Sequence, residues 1–160
     1  MLVSFDSLPN DARIWIYQSN RPFTEDELKK IKPQLDQFVE NWTAHGANLK
    51  AGYAMPYNRF IILGLDQGVN AASGCSIDSS VHFIQSLEKD YQVDLLDKMN
   101  VTFKQGEFIA YKPLADFKKL VKNRSVSPKT VVFNNLVNTK EEYLFDWEIP
   151  LKESWHNRFL

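Results

Sequence analysis

The run Arg59–Asp66, RFIILGLD, constrains this 160-residue chain more than any other stretch. A nearly continuous apolar segment bounded by turn residues predicts a strand lying centrally in a sheet. Its neighbours follow from the same pattern. Leu49–Ala54 is a second strand-like run, joined to the first by Met55-Pro56-Tyr57-Asn58 as the turn. Arg13–Gln18, RIWIYQ, is rich in β-branched and aromatic residues and sits between Pro9–Asn10 and Asn20–Pro22, so it also reads as a strand.

Between these strands the period changes. Thr24 and Glu27 form a T-x-x-E capping box, in which each side chain satisfies a free backbone donor at a helix start. Leu28, Ile31, Leu35, Phe38, Val39 and Trp42 then recur at steps of three and four, one face of a helix. His45–Gly46 is expected to close that helix, and Pro33 to kink it near Lys29–Ile31 or split it in two. The small-residue loop Gln67–Gly74 leads to a second helix, about Ile77–Tyr91, with Ser76 or Asp78 as its cap. Val101–Phe103 and Phe108–Tyr111 flank a hairpin turn at Lys104–Glu107. Pro113 suits the first position of a third helix through Val121, and Thr130–Phe133 is a last short strand. The first six elements match a ferredoxin-like βαββαβ unit. The expected fold is therefore α+β: a single domain over residues 1–160, with a mainly antiparallel sheet and helices packed on one face.

Composition narrows the function classes. Apolar residues are 44% and charged residues 24% of the chain, the balance of a soluble globular domain. Lys plus Arg number 19 and Asp plus Glu 20, a net charge of −1 that argues against general nucleic-acid binding. One cysteine excludes an internal disulfide and any multi-cysteine metal site. His45, His82 and His156 have no metal-ligand spacing, so neither a metal nor a cofactor is expected. No stretch approaches the ~18 apolar residues of a membrane span. The start of the chain, MLVSFDSLPN, lacks a basic region followed by an apolar run, so a cytoplasmic location is expected.

Several stretches together carry a resemblance: WTAHGANLKA (Trp42–Ala51), SGCSIDSSVHFI (Ser73–Ile84), FKQGEFIAYKPLADFKKLV (Phe103–Val121), VFNNLVNTKEE (Val132–Glu142) and SWHNRF (Ser154–Phe159). The chain resembles an uncharacterised bacterial family of proteins of about 160 residues, sometimes labelled "ABC transporter ATPase". The match runs over nearly the whole length, and it implies no catalytic residues. A P-loop needs G-x-x-x-x-G-K-[ST], and none of the six glycines here begins one. The residues thus do not support the ATPase label.

The best local candidate for a site is Ser73-Gly74-Cys75-Ser76-Ile77-Asp78-Ser79-Ser80. A glycine-containing loop opening a helix leaves N–H groups free at the positive end of the dipole. Ser73, Gly74, Cys75, Ser76 and Ser79 are the candidate ligand-binding residues, with a small anionic molecule as the ligand class. Cys75 and Asp78 are the candidate catalytic residues, since a helix start lowers a thiol pKa. The competing reading is structural: Ser76 or Asp78 caps the helix and Cys75 is a small buried residue. Asp78 and His82, four apart, share the solvent side of the helix and read as an exposed pair. Lys112, Lys118, Lys119, Lys122, Arg124 and Lys129 against Asp116 give 112–129 a local charge of +5. Such a patch attracts phosphates, acidic partners or RNA, or is simply a solvated face. Tyr143, Phe145, Trp147, Trp155 and Phe159 crowd the last segment, which is expected to fold back rather than stay in water. The leading expectation is a non-enzymatic or weakly catalytic domain binding a small anionic ligand or a protein partner. A thiol-dependent hydrolase or transferase using Cys75 is the alternative, and a nucleotide-binding protein the third.

Overall fold

The computed structural model describes residues 1–160. The strands and helices, in chain order, are β1 (Arg13–Gln18), α1 (Glu25–Glu40), β2 (Thr43–Ala44), β3 (Ala47–Asn48), β4 (Ala51–Ala54), β5 (Phe60–Leu65), α2 (Gly74–Tyr91), β6 (Asn100–Gln105), β7 (Phe108–Pro113), α3 (Leu114–Lys122), β8 (Val131–Phe133), α4 (Lys140–Asp146) and β9 (Glu148–Pro150). The class is α+β, and every strand ladder is antiparallel. The chain forms two compact units, Met1–Leu96 with Asn138–Glu141, and Asp97–Val137 with Glu142–Leu160.

In the first unit the sheet order is β1-β5-β4, so β5 is the central strand and all six of its residues are buried. Ile61, Leu63 and Leu65 face a core built with Leu28, Ile31, Leu35 and Val39 of α1 and with Ile84 and Leu87 of α2. On the opposite face Gly64 leaves room for Phe5 and Leu8; a Cβ there would lie 2.7 Å from Leu8 Cδ1. The ferredoxin-like order of six elements does not form one sheet. β1, β5 and β4 pair in the antiparallel order that this unit requires, but its fourth strand is not beside β1. The outer edge of β1 is taken by the returning segment 138–139, through the Ile14 N–H on the Asn138 carbonyl at 2.9 Å. β6 therefore finds its partners elsewhere, in a second sheet.

α1 begins with the expected capping box between Thr24 and Glu27. Arg21 reaches the same carboxylate at 2.7 Å, and its guanidinium holds Glu27 down at a pKa of about 2. The helix is continuous through Pro33, which lies on the exposed face where water can satisfy the Lys29 carbonyl left without a donor. It ends at Glu40, capped by Asn41, and not at His45–Gly46. Those two residues have positive φ (52° and 78°) and form the two-residue turn between β2 and β3. Turns of this kind need a left-handed pair, which explains why His-Gly stands there.

The second unit carries a four-stranded sheet in the order β7-β6-β8-β9. β6 and β7 are joined by a two-residue loop in which Gly106 has φ 62°. Val101, Phe103, Phe117, Val126, Val132 and Leu151 form its core. The last residues do fold back: Phe117 of α3 meets His156 at 5.8 Å and Phe159 at 6.3 Å between ring centroids. His156 is 2% exposed, and its Nδ1 lies 2.6 Å from Ser154 Oγ.

Burial, with help from Arg158, pushes the His156 imidazole pKa from 6.5 down to about 4. Between those values the unfolded chain takes up a proton that the folded chain refuses, so stability rises with pH across this window and is lost as pH falls through it. The contribution is on the order of 2–3 kcal/mol. Urea unfolding at pH 7 and pH 4.5 is expected to show a smaller loss of stability in His156→Gln than in the wild type. Equal losses would contradict a buried neutral imidazole.

Candidate functional site

The helix start singled out from the sequence lies in the first unit. α2 begins at Gly74 and is capped by Ser73, not by Ser76 or Asp78. The Ser73 hydroxyl accepts the Ser76 N–H at 3.1 Å, while the Ser76 hydroxyl accepts the Ser73 N–H at 2.7 Å. The start moves three residues toward the N-terminus because Gly74, Cys75 and Ser76 carry no apolar period for the sequence pattern to register. Ser76 is 2% exposed and spends its side chain on this reciprocal cap. Its carbonyl accepts both the indole N–H of Trp42 and the hydroxyl of Ser79, each at 2.8 Å.

Gly74, Cys75, Asp78 and Ser79 are exposed, so the expectation that Cys75 is a small buried residue does not hold. No hydrogen bond or ion pair joins Cys75 or Asp78 to a histidine. His82 lies seven residues beyond Cys75, roughly 10 Å along the helix, too far to act as its base. No group of three His, Cys, Asp or Glu side chains that could hold a metal ion occurs. No helix is long and apolar enough to cross a membrane.

Ser79 opens onto a groove between α1 and α2 of about 510 Å³, lined by Gln34, Gln37, Phe38, Asn41, Trp42, Thr43, Ser79 and Phe83. Two stripes make its walls. Cys75, Ser79 and Phe83 repeat every four residues along one face of α2, with Ser79 and Phe83 in the groove and Cys75 one turn above it. Gln34, Gln37 and Asn41 repeat at three and four along α1 beside Phe38. Phe38 and Phe83 stack at 4.5 Å, and Trp42 meets Phe38 at 5.5 Å and Trp15 at 5.8 Å. Tyr91 donates its hydroxyl to Gln34 Oε1 at 2.5 Å, fixing one amide, and Asn41 Nδ2 donates to the Gln37 carbonyl at 2.9 Å. The lining holds no charged side chain. What it offers is aromatic surface rimmed by neutral donors and acceptors, the usual make-up of a small-molecule cleft.

A second cavity of about 580 Å³ lies among Leu2–Asp6, Lys32, Asp36, Tyr53 and Ala54. There Tyr53 already donates to Asp36 at 2.6 Å, and burial together with that carboxylate pushes its pKa up. Its strongest polar pair is internally satisfied.

Of the residues expected at the site, the structure thus places Ser79 in the groove, Gly74 and Cys75 exposed at the helix start, and Ser73 and Ser76 in the cap. Gln34, Gln37, Asn41 and Thr43 were not among the expected site residues. Their one signal is the amide spacing on α1, which reads as a solvated face until the second helix is placed beside it. Comparison with known proteins finds no match among family models, curated proteins or solved structures.

The Trp42 indole bond is the buried polar link between the two walls, and Tyr91 on Gln34 is a second, part-buried one. Trp42→Phe keeps an aromatic ring and removes the donor, at an expected cost of about 1–2 kcal/mol. Trp15→Phe, at a half-buried ring in the same cluster, should cost less. Thermal unfolding of both variants checks this; equal destabilisation would contradict the role given to the bond.

Proposed function

We propose that this chain is a binding domain, not an enzyme, whose ligand lies in the groove between α1 and α2. The observation that carries the reading is the groove itself, with neutral amide and hydroxyl groups around stacked rings, next to an exposed helix start. Such a lining suits a small molecule with a flat apolar face and neutral hydroxyl or amide substituents. The anionic group expected of the ligand has a place one turn above Ser79. There the amides of Gly74 and Cys75 occupy the first helical positions, where N–H groups have no helical acceptor and the dipole favours negative charge. Gly74 is well suited to this, since even a Cβ there would meet nothing within 4 Å.

The absence of a Walker-type glycine loop supports a ligand other than Mg-ATP. Cys75 without a base within reach supports binding over thiol catalysis. A lone exposed thiol suits a reducing compartment, which supports the cytoplasmic location. Membership of the bacterial family resembled at Ser73–Ile84 and Ser154–Phe159 is part of the same reading and adds no residue roles.

The test is a thermal-shift panel of small carboxylates and phosphates alongside their neutral analogues. A ligand at about 100 times its Kd stabilises the native state by about 2.7 kcal/mol, a shift of several degrees. The expected result is a hit whose shift disappears in Ser79→Leu, which fills the groove and removes a hydroxyl, and persists in Lys32→Ala at the second cavity. A panel without hits, or hits indifferent to Ser79→Leu, would overturn the reading.

A further inference from the structure

The second unit carries a feature that the groove does not use. Lys118, Lys119 and Lys122 of α3 are all exposed, as are Lys112 before it and Arg124 and Lys129 after it. None of the six enters any of the ion pairs within the chain. With Asp116 alone opposing them, 112–129 carries +5 in a chain of net charge −1, so the remainder carries −6.

The helix dipole accounts for cations near the end of α3, at Lys119 and Lys122. It does not account for Lys112, Lys118 or Lys129, nor for the backbone at Arg124. That residue has φ 60° and closes the helix in a Schellman motif, with the Arg124 N–H on the Val121 carbonyl and the Ser125 N–H on the Leu120 carbonyl. Glycine fills this left-handed position at lower cost. A strained arginine that adds charge to an unpaired basic face points to a use for its side chain. The face is also partly pre-ordered: Lys118 Nζ sits 5.2 Å from the Phe159 ring centroid, and the Arg158 guanidinium 5.4 Å from that of Trp155.

We propose that this face of the second unit, α3 with Arg124 and the Trp155–Phe159 turn, docks a short acidic segment of a partner protein. Three observations select that occupant among polyanions. α3 has nine residues, about 13 Å of helix, which matches roughly four residues of extended chain. A longer polyanion such as RNA would extend from this patch along a chain whose remainder carries −6 and would repel it. Base stacking, which single-stranded nucleic acid requires, finds no open ring at Trp155, which lies against His156 at 3.9 Å on one side and under Arg158. Carboxylates on a flexible strand need only the separate point charges that lysines supply.

Fluorescence anisotropy with the full chain tests this, using a labelled peptide containing a run of about six glutamates and an oligouridine of equal charge. The expected result is saturable peptide binding at low salt, weaker binding of the oligouridine, and at least a tenfold loss of peptide affinity, the scale on which removed charge pairs act, in Lys118→Glu/Lys119→Glu/Lys122→Glu. The milder Lys118→Gln/Lys119→Gln/Lys122→Gln, with an unchanged melting temperature, should show the same direction of loss. Lys29→Glu/Lys30→Glu on α1 should leave peptide binding intact. Absence of peptide binding, tighter binding of the oligouridine, or an equal loss in the α1 variant would overturn the proposal.

Discussion

One hydrogen bond sets the arrangement of the first unit: the Trp42 indole N–H on the Ser76 carbonyl, 2.8 Å long and buried. Trp42 lies just beyond the end of α1 and Ser76 in the first turn of α2, so the bond fixes the exit of one helix against the entry of the other. An indole buried without an acceptor costs roughly 1–3 kcal/mol, which makes alternative placements of α2 expensive. Below the bond the Phe38–Phe83 stack keeps the helices in register, and at the far end Tyr91 on Gln34 closes the pair. The groove is the space that these three ties leave open.

The same bond explains which polar groups remain for a ligand. Ser76 accepts from Trp42 and Ser79 and shares a reciprocal cap with Ser73, so its polar atoms are all engaged inside the protein. Ser79 gives its proton to that carbonyl and keeps its lone pairs for the groove. Gly74 and Cys75, ahead of the capped residue, retain their amides. Structural and ligand-binding uses of this serine-rich turn are therefore divided among its members, and the cap is what orients the residues left over.

The central strand, the capping box at Thr24 and Glu27, and the β6–β7 hairpin were legible from sequence because each depends on neighbours in the chain. Five apolar side chains in RFIILGLD permit one environment, and T-x-x-E followed by a three-four repeat permits one start. His45–Gly46 misled because a left-handed glycine serves equally in a helix end and in a tight hairpin, and only the pairing of Thr43 with Asn48 decides. The ferredoxin-like order holds for β1, β5 and β4 and stops at the fourth strand for a non-local reason: the edge of β1 that it needs is occupied by a segment more than a hundred residues away. The groove was half legible. Ser79 belonged to a recognised motif, whereas Gln34, Gln37 and Asn41 become site residues only when α2 lies across from them.

Hydrogen exchange at the Trp42 indole, followed by NMR, is the most direct test of this arrangement. If the N–H is bonded to Ser76 in the core, it should exchange about as slowly as the amides of β5, released by the same large opening. Exchange at the rate of an exposed indole would mean that the bond is not made, and that the walls of the groove are not held as described.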